Sequence, residues 1–192
     1  MSATQAPAPG SHIANPAPLG LAGFALTTFV LSCFNSGLLD AGGTGVVLGL
    51  ALAYGGLAQL LAGMWEFTKG NVFGATAFSS YGAFWISFWW LIEHDAGGLP
   101  AGSGAVAVYL LAWGIFTAYM TIGAAKVSTP VFVVFILLTI TFFVLAWGDF
   151  GSGSTTIHHI GGYLGLATAF AAWYASLAGV TAFTHGKSVV PS

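Results

Sequence analysis

The chain has 192 residues, of which 57% are hydrophobic and 4% charged, with a formal net charge of -2. A soluble domain carries about a quarter charged residues, so this composition suits lipid rather than water as its solvent. The three cations are all Lys and lie far apart in the sequence, which excludes a nucleic-acid partner, since phosphate binding needs clustered Lys and Arg.

Residues 1–14 are rich in Ala, Pro and Ser. They lack the basic segment and cleavage site of a secretory signal and read as a flexible cytoplasmic tail. A helix crosses a membrane with about 20 apolar residues, and the chain offers such segments in succession from residue 15 to 184. The first is predicted at 19–39, entered through Asn15-Pro16-Ala17-Pro18. The others are predicted at 46–65, 72–92, 104–124, 130–148 and 156–183. Gly and Pro in the short breaks end the helices through free φ and a missing N–H. Residues 185–192 form a short cytoplasmic tail. The expectation is an all-α integral membrane protein of six transmembrane helices.

Charge sets the orientation. With six crossings, Lys69, Lys126 and Lys187 share one side, while Asp40, Glu93, Asp95 and Asp149 share the other. The excess of Lys on cytoplasmic loops then places both termini in the cytoplasm. Trp65, Trp89, Trp90 and Trp147 fall near predicted helix ends, as an interfacial aromatic belt requires. Small residues recur every four positions, as in Gly45 and Gly49, Gly70 and Gly74, Gly161 and Gly165, and the stripe Ala167, Ala171, Ala175, Gly179. Such stripes let helices meet closely in lipid, within one chain or between chains.

Little in the chain carries catalytic chemistry. No ionisable residue is expected deep within a helix, because Glu66 and Glu93 sit at helix ends. Proton relays and ion pumps need charges there. No catalytic constellation, metal cluster or cofactor motif is present. Cys33, in an apolar run, reads as a small buried residue. His158 and His159 stand at the start of the last helix, as an interfacial pair or as a proton-sensing group of a vestibule. Polar Thr27, Thr28, Gln59, Thr76, Ser79, Ser80 and Tyr81 enter apolar stretches and need partners, either another helix or a wet pore. Asn15 and the prolines after it explain a helix start, and the same N-terminus can face an anion.

The string Asn15 to Leu21, NPAPLGL, resembles the signature of the acetate uptake transporter family, also called acetate/succinate permeases. YGGLAQLLAG, KGNVFGATAFSSYGAFW and VYLLAWGIFT are similar to the same family in the same order, so the resemblance runs from about residue 15 to 184. It implies a protomer with its own pore in a homohexamer of the cell inner membrane. The implied substrates are acetate and related small carboxylates, with succinate among them. It also implies an apolar and aromatic constriction from helices one, three and five, at Phe24, Tyr81 and Leu138. The expected topology agrees with that placement. Each residue lies eight or nine positions beyond Pro16, Val72 or Pro130, roughly 12–14 Å deep at 1.5 Å per residue.

With no cation at depth, hydroxyl and amide groups must hold a carboxylate, and Asn15, Thr27, Gln59 and Ser80 are the candidates. The lack of buried carboxylates points to a channel, or to passage of the acid with its own proton. A pore for neutral solutes such as urea or amides is the alternative, and a non-transporting membrane partner a further one.

Overall fold

The computed structural model describes residues 13–94, 104–150 and 154–191. Most of the tail expected at 1–14, most of the turn expected at 93–103, and residues 151–153 of the turn expected at 149–155 lie outside them. The described residues form long helices joined by short turns. They are α1 (Ala17–Asn35), α2 (Gly45–Thr68), α3 (Val72–Glu93), α4 (Ala105–Ala124), α5 (Thr129–Asp149) and α6 (Thr155–His185). All but α3 are long and apolar enough to cross a membrane. α3 has 22 residues, but Thr76, Ser79, Ser80, Tyr81 and its tryptophans lower its mean hydropathy.

Local chemistry sets the helix ends. The Asn15 side chain accepts the Ala17 N–H at 3.2 Å, just ahead of Pro18 in the first turn of α1. Asn71, Ser128 and Ser154 accept amides of the first turns of α3, α5 and α6. These bonds satisfy N–H groups that a helix leaves unpaired. α1 stops at Asn35 rather than at 39, because Gly37 turns the chain with φ +75°. Leu38 and Leu39 prolong the apolar run in sequence but lie outside the helix.

α1 is flanked by α6 and by the middle of α2; α6 packs on α5, α5 on α4, and α2 on α3. Glycines fix the closest approaches. A Cβ at Gly162 would collide with the backbone N of Ser36 and lie 2.5 Å from the Asn35 carbonyl carbon, so α6 crosses the end of α1 in direct contact. Gly165 meets the Ser32 side chain, and Gly179 meets Pro18. The predicted pair Gly45 and Gly49 behaves differently, with open space over both positions.

Most buried hydroxyls bond within their own helix. Thr27, Thr117, Thr141 and Thr168 each donate to the carbonyl four residues earlier, at 2.7–2.8 Å. That bond makes a polar side chain tolerable in an apolar helix. Large apolar side chains such as Ile122, Trp147 and Phe183 point outward and uncovered, as lipid-facing residues do.

One irregularity was not foreseen. Ala53–Ala58 in the middle of α2 form a π turn, a widened turn common at functional sites. Gly55 and Gly56 let it sit against its neighbours: a Cβ at Gly55 would lie 2.6 Å from Thr27 Oγ1 and 2.9 Å from Trp85 Cδ1. Gln59 follows immediately.

Candidate functional site

Phe24 from α1, Tyr81 from α3 and Leu138 from α5 are all buried and belong to one apolar core. The Phe24 and Tyr81 rings lie 5.9 Å apart, inclined by 53°. Phe135, one turn before Leu138 on α5, meets Tyr81 edge-on at 5.9 Å. The Tyr81 hydroxyl is 2.9 Å from Thr117 Oγ1. Thr117 donates its own proton to the Trp113 carbonyl at 2.7 Å, so Tyr81 is the donor in the pair. The phenol is thereby tethered to α4 and its proton is already used.

These three side chains line a cavity of about 20 Å³ together with Leu21, Gln59, Ala77, Phe78, Val134 and Phe135. That is room for about one water. On one side Phe24 and Leu138 also border a cavity of about 310 Å³. On the other side Leu21 also borders one of about 240 Å³, lined by Asn15, Ser128 and Pro130 among others. The small space thus shares wall residues with two wider ones.

The larger cavity follows three helix faces outward from that small space. Its wall runs from Phe24 through Thr28, Leu31 and Ser32 to Asn35 on α1, and from Leu138 through Thr141, Phe142 and Leu145 to Asp149 on α5. α3 adds Phe84, Trp85, Phe88, Leu91 and Ile92, beyond Tyr81. Phe24 to Asn35 and Leu138 to Asp149 each span eleven positions, about 16 Å of helix.

The expected carboxylate-holding residues divide. Gln59 is 1% exposed, lines the small cavity, and leaves its Oε1 without a partner. Asn15 lines the 240 Å³ cavity while its Oδ1 caps α1. Thr27 is buried on another face, bonded to the Gly23 carbonyl beside Gly55. Ser80 is half-buried and lines none of these three spaces. Thr28, which is not among those candidates, joins the wall. It is 7% exposed, one turn beyond Phe24 in the wall of the larger cavity, and its Oγ1 has no partner. The signal was present, since Thr28 stands four residues after Phe24, the spacing that puts two side chains on one helix face.

The expected lack of buried carboxylates is overturned. Glu66 stands in the last turn of its helix, as expected, but has 0% exposure. α2 continues to Thr68, and Gly74 leaves room for the carboxyl, since a Cβ there would lie 2.8 Å from Glu66 Cδ. Glu66 Oε2 accepts from Asn71 Nδ2 at 2.9 Å, and Oε1 has no partner. A buried carboxyl group thus sits near the Lys69 end of the bundle. The two histidines diverge: His158 turns to Asp149 in the wall of the 310 Å³ cavity, whereas His159 packs on Gly37.

The GPR1/FUN34/yaaH family matches residues 1–191. Acetate permease A of Emericella nidulans is 44% identical over 93% of this chain, which spans 65% of that longer protein. The succinate-acetate/proton symporter SatP of Escherichia coli K12 is 39% identical over 94% of this chain and 96% of its own. The solved structure of the bacterial acetate channel SatP superposes with a TM-score of 0.87, covering 93% of this chain and 98% of that one at 39% identity. A run of apolar helices and a membrane channel of the same fold make this a multi-pass membrane protein. The match along nearly its whole length settles its kinship: the chain belongs to the GPR1/FUN34/yaaH family.

Proposed function

We propose that this chain conducts acetate and related small carboxylates, succinate among them, along the path between the two vestibules. Phe24, Tyr81 and Leu138 form the narrowest point. The observation that carries this reading is the chain of shared walls: Phe24 and Leu138 border both the small cavity and the larger one, and Leu21 borders both the small one and that at Asn15. The names borne by the relatives supply the substrate class, and the same names describe transporters rather than enzymes.

Stripping a carboxylate of water in an apolar medium costs tens of kcal/mol by idealised Born arithmetic. The constriction holds no cation, so the anion needs hydrogen-bond donors at each step. Gln59 offers its amide beside the ring, and Asn15 its NH2 group in the 240 Å³ vestibule. Tyr81 offers no proton, so the ring serves the methyl end and turns away bulky or strongly hydrated solutes. Thr27 and Ser80 have no part in this path. The buried Glu66 removes the main objection to proton coupling, because a titratable carboxyl inside the bundle is what such coupling uses.

α3 completes the membrane bundle as a sixth crossing. Its buried face, with Phe78, Tyr81, Phe84 and Trp85, lies among the other helices. Six crossings in the inner membrane set both termini and all three Lys in the cytoplasm, with Asn15 at the cytoplasmic vestibule and His158 at the outer one. The bare α2 face at Gly45 and Gly49 favours close self-association, consistent with a homohexamer.

Purified protein in liposomes tests the reading directly. Acetate uptake above that of empty liposomes is expected, and its absence sinks the proposal. Urea is the competing substrate class, since a ring without cations also suits neutral solutes. Excess acetate suppresses urea flux only if both use this path.

A further inference from the structure

At the wide end of the 310 Å³ cavity, His158 Nε2 lies 3.0 Å from Asp149 Oδ1, with side-chain exposures of 32% and 22%. The imidazole lies over Gly148, where a Cβ would come within 3.1 Å of its Cδ2. The other titratable groups at this end are engaged elsewhere or stand outside. Tyr109 lines the cavity but shares a 2.7 Å hydrogen bond with Ser87. Asp40 accepts the Gly42 N–H at 3.0 Å. His159 packs on Gly37, and His94 stacks on Trp90 at 3.6 Å. Glu93 is exposed at the end of α3, Cys33 is half-buried, and Asp95 lies outside the described residues.

Resting on the reading that this cavity admits the substrate, we infer that Asp149 and His158 form a charge filter that ties admission of carboxylate anions to protonation of His158. With His158 neutral, the pair carries the full negative charge of Asp149 and repels an approaching anion. With His158 protonated, the pair sums to zero and the anion passes. Histidine is the side chain that changes charge between about pH 5 and 8, so admission rises as pH falls across that range. Repulsion by one charge at the rim of a wet vestibule corresponds to about five- to tenfold in local anion concentration.

The test uses full-length protein in liposomes and difluoroacetate, a small acid ionised throughout the range, followed by fluorine NMR from about pH 8 to about pH 5.5. In the wild-type protein, uptake above empty liposomes rises about five- to tenfold as pH falls. Asp149→Asn keeps the high rate at pH 8, and His158→Gln keeps the low rate at pH 5.5. Asp149→Ser stands in if the first variant aggregates on size exclusion. A wild-type pH profile in the folded variants overturns the filter while leaving the transport reading intact. So does an equal loss at every pH in both variants, which marks a pair that only joins α5 to α6. No wild-type uptake of difluoroacetate or acetate overturns both.

Discussion

Leu138→Ala probes the constriction where structure and substrate size meet. Leu138 is buried and borders both the small cavity and the larger vestibule. The space it closes holds about one water. Forcing an extra methylene into so tight a site costs about 1–3 kcal/mol. Replacing the isobutyl group by a methyl relieves that strain for longer acids and changes little for acetate. At 1.36 kcal/mol per tenfold, the butyrate-to-acetate uptake ratio should rise roughly 5- to 150-fold, and succinate uptake should rise with it. The substitution also leaves a hole, at about 2–5 kcal/mol of stability, so the variant must first elute from size exclusion as the wild type does. Paired radiolabel uptake in liposomes gives the ratio. A folded variant with an unchanged ratio would show that Leu138 does not set the size limit.

Gln59→Leu removes the amide beside the ring. A hydrogen bond to a charged group is worth about 1.5–3 kcal/mol, so acetate uptake should fall roughly 10- to 150-fold; an undiminished rate takes Gln59 off the path. Thr28→Val keeps the shape and removes a hydroxyl that has no partner in the protein. Its thermal stability should stay within about 1 kcal/mol of wild type while acetate uptake drops several-fold, and lost stability with intact uptake would reverse that assignment. Gly162→Ala drives a methyl into the Ser36 backbone. Overpacking of about 1–3 kcal/mol should lower Tm by roughly 2–12 °C, read by a thermal shift in detergent, and an unchanged Tm would mean that α6 and α1 are not in contact there.

Much of the bundle was legible in the sequence, because apolar length and Gly, Pro and Asn punctuation are local signals. α6 was predicted within two residues at each end, since Ser154 and Gly186 mark its limits. Hydropathy alone carries α1 too far, because it continues through Leu38 and Leu39 while the backbone has already turned at Gly37. The constriction residues came from resemblance and depth, and helical phase then decided which neighbours join them. Thr27 and Thr28 are equally polar, but a step of about 100° separates them. Only Thr28 faces the cavity. The burial of Glu66 was not legible for a tertiary reason: it depends on Gly74 and Asn71 folding back from the next helix.

The π turn at Ala53–Ala58 places α2 among proteins whose working form is not their most regular one. Its extra residue resets the phase of everything that follows. The widened turn absorbs that residue, so forcing Ala53–Ala58 into an ordinary α-helix at unchanged length would swing Gln59 by about 100°, away from the ring. A regularised α2 would gain ordinary helical hydrogen bonds and turn the Gln59 amide, proposed to meet the carboxylate, out of the small cavity.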